Sequence, residues 1–346
     1  MKRSTVLAVL AVLVVTLVIG LAGIFFPASP KETLKVVITG KEWLNTEFGR
    51  DRLELKGKNT LVVFWNASDI NSLKTVKKLN EWKAQYGGLL QIAGIHCPEF
   101  EFEKEKKNIV RLVEELKIKW PVLLDNDGAL KKIFKNTELP ALYLINSSGK
   151  TVYTHKGDGD YEISEAEFQA AVKVMEPNAT LPKLKKPEIA GVCFIITPDL
   201  YTGSIKGLPA NKGGFIAEKL HDYKFNAEIP PDAFALKGKF KALKEYVESE
   251  TPGSGLFLNF AATEVNIVAD SVLNGDTMLE VLLDNKPVKP ESRGRNLDGN
   301  NQVRLKYPGM YQLLKNTAKA EKGILSVKLV KGKCRLYAFR FYGCSE

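Results

Sequence analysis

The sequence predicts an α/β domain followed by an all-β domain, behind an N-terminal transmembrane helix. Three observations support this fold class. An uncharged run fills residues 4–29, strand-like and helix-like patterns alternate over residues 60–175, and short strand-like runs separated by Gly, Pro, Asn and Asp follow residue 191. A chain of 346 residues, 45% apolar and 26% charged, has the length and composition of two folded domains of ordinary size.

The N-terminal segment, residues 1–29, is the first predicted element. Lys2 and Arg3 precede the uncharged run, which is long enough to cross a bilayer, whereas the apolar core of a signal peptide needs only about 7–15 residues. The positive flank predicts a cytoplasmic N-terminus, with both domains outside the cytoplasm, periplasmic or extracellular. We expect a single-pass anchor in the cell membrane, with the lipid bilayer as its partner; cleavage near residues 22–29 is the alternative.

The charge of the chain argues against nucleic acid as a partner. The formal net charge is +10, but the lysines are scattered along the chain without a dense basic block interleaved with aromatic residues. Solvated lysines explain this balance, so we expect no nucleic-acid binding.

The first domain, residues 30–175, shows alternating patterns. Apolar runs at 60–65 and 89–96 are typical of strands buried on both faces of a parallel sheet. Helical spacing of apolar residues follows at 71–86 and 104–117, a short helix at 129–134, a hairpin at 141–146 and 151–156, and a last helix at 164–175. The order β-α-β-α, then a hairpin and a helix, is that of the thioredoxin fold.

The second domain, residues 191–346, follows a linker at residues 176–190 that is rich in Pro and Lys and lacks an apolar period. Short strands are predicted at 192–197, 234–243, 254–261, 264–269, 278–284, 323–329 and 334–341. Such short strands, separated by turn residues, predict a β-sandwich.

Several ordered segments of the first domain carry a family resemblance. GKEWLNTE, LVVFWNASDINSLKT, IAGIHCPEFEFEKEKKNI, WPVLLDNDGALKKIF, LPALYLINSSGK and HKGDGDY occur in this order. Over residues 41–175 they resemble the DipZ-type, TlpA-related thioredoxins. In that family the strand–helix junction reads Phe-Trp-x-x-Ser-Cys-Ile-Asn-Cys, and the family's two cysteines carry out dithiol–disulfide exchange.

The junction of this chain departs from the family motif. Ser68, Ile70 and Asn71 match it, whereas Asp69 and Ser72 stand where the cysteines belong. A carboxylate cannot form a mixed disulfide and a hydroxyl cannot resolve one, so the resemblance predicts a protein without dithiol exchange, a binding or scaffold module rather than an enzyme. Asp69 or Ser68 is expected to cap the following helix.

The resemblance also implies a groove for an exported protein or peptide. Pro140, after Leu139, matches the position of the family's cis-proline, which lies beside the cysteine pair. The expected groove residues are Trp65, Ser68, Asp69, Leu139 and Pro140; the alternative is that Pro140 only maintains the fold.

The second domain resembles the β-rich domain that follows thioredoxin in DipZ-type proteins. TPDLYTG, MLEVLLDNKP, YPGMYQLL and YAFRFYG carry this resemblance. It implies a jelly-roll-like sandwich similar to carbohydrate-binding modules, with carbohydrate as a candidate partner. Binding of sugars requires exposed aromatic platforms, for which the candidates are Tyr201, Phe215, Tyr223, Tyr307 and Tyr311.

A second candidate function rests on Cys97, which follows a predicted strand and so lies at the same sheet edge as Asp69. If His96 lowered the pKa of this thiol, the chain would be a thiol oxidoreductase or a peroxide-responsive protein. The simpler interpretation is a half-buried residue without chemistry.

The other cysteines suggest one disulfide, and no residues suggest a metal. Cys334 and Cys344 flank one predicted strand of about 33 Å, beyond the reach of a disulfide, so either of them can pair with Cys193. The acidic turns near residues 125 and 158 lack a complete calcium loop, and His155 and His221 have no partner at ligand spacing. We expect neither a metal nor a cofactor.

Overall fold

The computed structural model describes residues 37–39, 42–46, 52–55, 57–184, 192–225, 228–272, 276–315 and 319–344. The predicted anchor at residues 1–29 and the end of the predicted linker at 185–190 lie outside this part. Within it, no helix is both long enough and apolar enough to cross a membrane.

The first half of the chain folds as an α/β unit. Its strands are β1 (Val37–Thr39), β2 (Trp43–Leu44), β3 (Arg52–Glu54), β4 (Thr60–Trp65), β5 (Gln91–His96), β6 (Val122–Leu124), β7 (Ala141–Ile145) and β8 (Thr151–Lys156). Its helices are α1 (Ile70–Tyr86), α2 (Lys106–Glu115), α3 (Ala129–Ile133) and α4 (Tyr161–Met175). The predicted order is confirmed, with the short strand β6 added in the segment before the turn near residue 125.

A six-stranded sheet in the order β2-β6-β5-β4-β7-β8 forms the centre of this unit. Strands β4, β5 and β6 are parallel, and β7 and β8 run antiparallel to them. All six residues of β4 are buried, as expected for a strand with helices on both faces of its sheet. Trp65 pairs with His96 in register, so the residues that follow β4 and β5 lie at one edge of the sheet.

The second half is a large antiparallel β-domain. Its strands are β9 (Leu200–Tyr201), β10 (Leu220–Tyr223), β11 (Ala233–Ala242), β12 (Val247–Ser249), β13 (Gly255–Ala262), β14 (Glu264–Ser271), β15 (Thr277–Leu283), β16 (Lys286–Pro287), β17 (Gln302–Leu305), β18 (Gly309–Leu314), β19 (Glu321–Lys331) and β20 (Cys334–Tyr342). The main path is β16-β15-β19-β13-β11-β12-β20-β14-β18, and one hydrophobic cluster includes residues of β15, near one end of it, and of β18, at the other.

The strand predicted at residues 192–197 does not form. This segment makes only an isolated bridge between Cys193 and Cys344, and Ile195 is 98% exposed. Its apolar residues favour a strand locally. However, Phe194 bonds to Gly343, just after β20, and Thr197 bonds to Ala261 in β13, so the segment joins the ends of these two strands instead of extending along a sheet edge. Tertiary contacts override the local pattern here.

Strand β14 explains how the two halves meet, because all eight of its residues are buried. Ile267 faces the core of the β-domain, while Val268 belongs to a separate cluster with Phe100, Tyr337 and Ala338. Phe102, Tyr201, Tyr246 and Met310 pack against that cluster. We call these eight residues the interdomain cluster. It places the β-domain directly against the loop that follows β5.

Candidate functional site

Asp69 and Ser72, for which the family resemblance predicts cysteine positions, hold the junction between β4 and α1. Asp69 is the N-cap of α1, with an extended backbone, and its Oδ2 accepts a hydrogen bond from the Ser72 backbone N–H at 2.8 Å. The buried Ser72 Oγ accepts one from the Asn66 backbone N–H at 3.1 Å. An N-cap carboxylate satisfies a free N–H and interacts favourably with the helix dipole. Both side chains therefore maintain the turn.

The side chain of Asn66 connects this junction to the loop after β5. Its Nδ2 donates to the Cys97 carbonyl oxygen at 2.7 Å and to Glu103 Oε2 at 3.0 Å, and its Oδ1 accepts from the Ser68 backbone N–H at 2.7 Å. Glu103 is completely buried, and burial raises the pKa of its carboxyl group. Its Oε2 also accepts from the backbone N–H of Phe100 at 3.1 Å, so the loop has a fixed shape.

Pro140 lies at the same edge of the sheet. The Leu139–Pro140 peptide bond is cis, as the family resemblance implies. Ala141 pairs with Phe64, which places Pro140 beside the end of β4. The predicted groove residues thus converge on one edge.

The β-domain covers this edge through Arg340, which lies in β20 and is 2% exposed. Its Nε donates to the carbonyl oxygen of Ser68 at 2.9 Å, its Nη1 to Asp199 Oδ2 at 2.6 Å and its Nη2 to Glu99 Oε2 at 2.5 Å. Tyr201 donates to Glu99 Oε1 at 2.6 Å. A buried guanidinium thus joins both domains beside Asp69.

The surroundings of Asp69 shift the pKa of its carboxyl group in opposite directions. Burial raises the pKa of its carboxyl group, while the bonds from Ser72 and the charge of Arg340 lower it; burial is the largest effect. Burial also raises the pKa of Glu99, but Arg340 together with the bonds from Tyr201 and Lys206 outweighs it, so this pKa lies below its usual value. Glu99 and Asp199 together balance the charge of Arg340.

The prediction of an open groove needs correction. Trp65 and Ser68 are fully buried, and Asp69 and Leu139 are half-buried. Trp65 packs inside the core of the α/β unit, because it is the last residue of β4, a strand that is covered on both faces. The carbonyl group of Ser68 is occupied by Arg340. The β-domain therefore covers this part of the sheet edge.

The seam contains a cavity of about 290 Å³ beside this junction. Ala67 and Leu73, before and after the N-cap, line it together with Met310 of the β-domain. Arg111 and Arg295 contribute charged groups to the lining. The cavity has the size of a small ligand pocket and combines apolar walls with charged groups of both signs, because Glu115 lines it as well.

The expected pair of His96 and Cys97 does not form an activated thiol. Cys97 is 5% exposed, and burial together with Asp125 and Glu103 raises the pKa of its thiol to about 12. The fully buried imidazole of His96 lies edge-on to Trp65, and burial lowers its pKa to about 3. Neither ring nitrogen of His96 has a hydrogen-bond partner in the described part of the chain, so the structure lends no support to activation of Cys97 by His96.

Of the two disulfides that the sequence left open, the structure contains Cys193–Cys344. Cys334 is a free thiol, 1% exposed. The disulfide ties the start of the β-domain to the end of β20, two residues beyond Tyr342 and four beyond Arg340.

The five aromatic candidates for a sugar platform are not free. Tyr223 and Tyr311 are buried, and Phe215 packs against the core of the β-domain. Tyr201 bonds to Glu99, and Tyr307 stacks under Arg111 while its hydroxyl donates to Glu115. In the described part of the chain, no group of three His, Cys, Asp or Glu side chains has the arrangement of a metal site.

The fold and site define a thioredoxin-fold protein that carries a C-terminal all-β domain. Residues 197–342 match the family model described as the Thioredoxin like C-terminal domain. Protein DipZ of Mycobacterium bovis and of Mycobacterium tuberculosis is 30% identical over 260 residues, which cover 72% of this chain and 36% of DipZ. The chain thus spans about a third of the length of these relatives.

Thiol-disulfide oxidoreductase YkuV of Bacillus subtilis is 30% identical over 129 residues, which cover 37% of this chain and 86% of YkuV. The solution structure of a thioredoxin-like protein in the oxidized form is 28% identical and covers 40% of this chain, with a TM-score of 0.36. By its similarity to YkuV, the chain belongs to the thioredoxin-like, thiol-disulfide oxidoreductase family.

The contacts that Arg340 makes with Glu99 and Asp199 were not predicted from the sequence. One signal was present, since Arg340 interrupts the apolar strand YAFRFYG. A charged residue in a strand that is otherwise buried must find partners. The identity of those partners depends on how the two domains pack.

Proposed function

We propose that this chain is an extracytoplasmic binding protein of the thioredoxin family that does not catalyse dithiol–disulfide exchange. One observation carries this proposal: Asp69 and Ser72 occupy the helix N-terminus where the family places its thiols, and both are engaged in fixing the turn. Neither group can form a mixed disulfide. The retained cis-proline and the cavity at the seam support a role in binding.

Reduction of insulin disulfides in the presence of dithiothreitol tests the absence of exchange. The native full chain is expected to give the rate of the protein-free reaction. The Cys97→Ser variant is assayed beside it, because Cys97 carries the second candidate function. A native rate above background that survives this substitution would refute the proposal. If the substitution abolished such a rate, the alternative based on Cys97 would replace it.

The binding site that we propose is the cavity at the seam. Its apolar residues Ala67, Leu73 and Met310 can accept an apolar side chain of an extended peptide, and Arg111 and Arg295 can bind its carbonyl or carboxylate oxygens. This location replaces the open groove expected from the family resemblance, because Arg340 covers that groove.

A labelled insulin B chain with carboxymethylated cysteines, which cannot exchange disulfides, is a suitable probe for this site. The native chain is expected to bind it saturably in fluorescence anisotropy. Met310→Trp fills the cavity and should weaken binding about tenfold, the equivalent of losing one buried apolar side chain. Ile133→Trp, at a position 58% exposed on α3, serves as the control. Equal binding by both variants would exclude the cavity.

We also propose that the N-terminal segment anchors the protein, with both domains outside the cytoplasm. The uncharged run at residues 4–29 behind Lys2 and Arg3 supports this topology. The full chain is expected to stay in the membrane fraction after alkaline carbonate extraction and to be digested by protease added outside spheroplasts. Complete release by carbonate would contradict the anchor. The described aromatic residues lend no support to carbohydrate binding, which stays a prediction from the resemblance alone.

A further inference from the structure

The segment from the end of β9 to Leu220, the first residue of β10, runs along β11 and exposes four large aliphatic side chains. Ile205 is 70% exposed, Leu208 78%, Ile216 40% and Leu220 62%. Large aliphatic residues that are exposed singly need no explanation, but several in one short segment mark a contact surface.

Backbone contacts place these residues on one surface. Ile205 N donates to the Lys244 carbonyl oxygen at 3.1 Å, and Leu220 pairs with Lys241 in the β10–β11 register. Leu208 lies 3.9 Å from the position that a Cβ of Gly214 would take, two residues before Ile216. The four side chains therefore follow the same edge of the β-domain.

Lysines surround these aliphatic residues. Residues 205–224 and 237–244 contain eight lysines and only two acidic residues, Glu218 and Asp222. Lys212, Lys219, Lys239 and Lys244 are exposed and Lys241 is half-buried. None of these five forms an ion pair with any residue that the structure describes. We call the four aliphatic residues and these five lysines the lysine-rich edge.

The combination of exposed aliphatic and unpaired cationic side chains fits an interface with anionic lipid. Aliphatic side chains gain free energy when they enter the boundary between headgroups and acyl chains, and lysines bind the anionic headgroups. Single-stranded nucleic acid would favour exposed aromatic platforms beside the lysines, and the aromatic residues here, Phe215 and Tyr223, are packed inward. Charge complementarity thus favours a bilayer.

We propose that the lysine-rich edge docks the β-domain onto an anionic phospholipid surface. This contact is separate from the proposed N-terminal anchor and does not depend on the function of the thioredoxin-like site. It holds the β-domain, and with it the seam, against the membrane plane.

Quenching of a fluorophore by lipids that carry a nitroxide group tests this docking in the full chain. The fluorophore is attached at Ile216→Cys; Cys97 and Cys334 are 5% and 1% exposed and do not compete for the label. Quenching is expected in vesicles that contain phosphatidylglycerol, should be absent with phosphatidylcholine alone, and should fall at high salt. The same label at Lys286→Cys, in the exposed strand β16, should stay unquenched, even if the N-terminal segment inserts.

Two double variants separate the contributions of the lysines and of the aliphatic side chains to docking. Lys239→Gln/Lys241→Gln should lower the docking equilibrium constant about 25-fold, at roughly fivefold for each lysine. Leu208→Ser/Leu220→Ser should lower it about tenfold through lost apolar contact. The exposed pair Lys286→Gln/Lys289→Gln is the matched control and should change nothing.

Two outcomes would overturn the proposal. One is equal quenching of the Ile216 and Lys286 labels. The other is a loss of docking in the lysine variant with no change in the Leu208→Ser/Leu220→Ser variant, while the native chain binds heparin as tightly as the vesicles. That combination would identify a general polyanion surface.

Discussion

The guanidinium Nε of Arg340 donates a hydrogen bond to the backbone carbonyl oxygen of Ser68 across the seam between the two domains, at 2.9 Å. Ser68 directly precedes the residue that stands where a thioredoxin carries its first cysteine. The β-domain therefore covers the sheet edge at which this fold normally meets its substrates. Glu99 and Asp199 neutralise the buried charge.

Removal of Arg340 should weaken the seam. Arg340→Met keeps most of the side-chain volume but leaves Glu99 and Asp199 without their common partner. Loss of one partner of a buried ion pair costs about 3–5 kcal/mol; we expect about 3 kcal/mol, because the side chain of Glu99 is 23% exposed and retains Lys206 and Tyr201. Urea unfolding followed by tryptophan fluorescence measures this change, since all four tryptophans lie in the first domain.

Arg52→Met is the control for that experiment. Arg52 pairs with Glu54 at 3.9 Å in a fully exposed ion pair, with side chains 66% and 63% exposed. Such pairs contribute about 0–1 kcal/mol. If both variants changed the free energy of unfolding equally, the seam would carry no special stability.

The buried His96 should make the first domain sensitive to acid. Its folded pKa of about 3 lies below the ordinary value of 6.5, so the unfolded state takes up a proton first as pH falls. The stability that the neutral imidazole contributes is complete above pH 6.5 and is lost as pH falls towards 3. Between pH 6.5 and 5, this proton uptake should lower the free energy of unfolding by about 1.5 kcal/mol.

Urea unfolding of His96→Leu at these two pH values isolates this contribution, because all carboxylate effects are common to both proteins. Over this pH range, the free energy of unfolding of the variant should fall by about 1.5 kcal/mol less than that of the native chain. His221→Gln, in the β-domain, is expected to keep the native pH dependence of the tryptophan signal. An unchanged pH dependence in His96→Leu would show that His96 is not the group responsible.

The Cys193–Cys344 disulfide should stabilise the β-domain because it closes a loop with a sequence separation of 151 residues. Loop-closure entropy in the unfolded state predicts about 4–5 kcal/mol for a loop of this length. The double variant Cys193→Ser/Cys344→Ser should unfold at a lower urea concentration by circular dichroism. Dithiothreitol should shift the native chain to the same midpoint and leave the variant unaffected; a native midpoint that ignores the reductant would argue against the bond.

Cys97 should resist alkylation in the folded chain. Its thiol is 5% exposed and has a pKa of about 12, so almost no thiolate exists near neutral pH. Iodoacetamide followed by mass spectrometry should label Cys97 slowly in buffer and rapidly in urea. Cys334, also free and with a pKa of about 12, serves as the internal reference. Labelling of Cys97 in native buffer at the rate seen in urea would restore the thiol-based alternative.

The sequence predicted the local elements well because their causes are local. The apolar run of β4 and the spacing of Val76, Leu79 and Trp82 in α1 predict a buried strand and its covering helix within one residue of the observed bounds. The capping role of Asp69 was also predictable, since its chemistry requires only the helix that follows.

Features that depend on the packing of distant segments could not be predicted. The choice of Cys344 over Cys334 requires the path of residues 192–197 across the chain end. The high pKa of Cys97 follows from neighbours on other elements. The pairing of Arg340 with Glu99 joins residues 241 positions apart, and no local pattern identifies it.

We propose that Asp69 and Ser72 occupy the place of a redox cysteine pair without its chemistry. The most direct measurement compares the initial rate of insulin reduction by the native chain with that of Asp69→Cys/Ser72→Cys. We predict a native rate equal to the protein-free background and a rate above background for the variant. A native rate above background that also persists in Cys97→Ser would contradict the account.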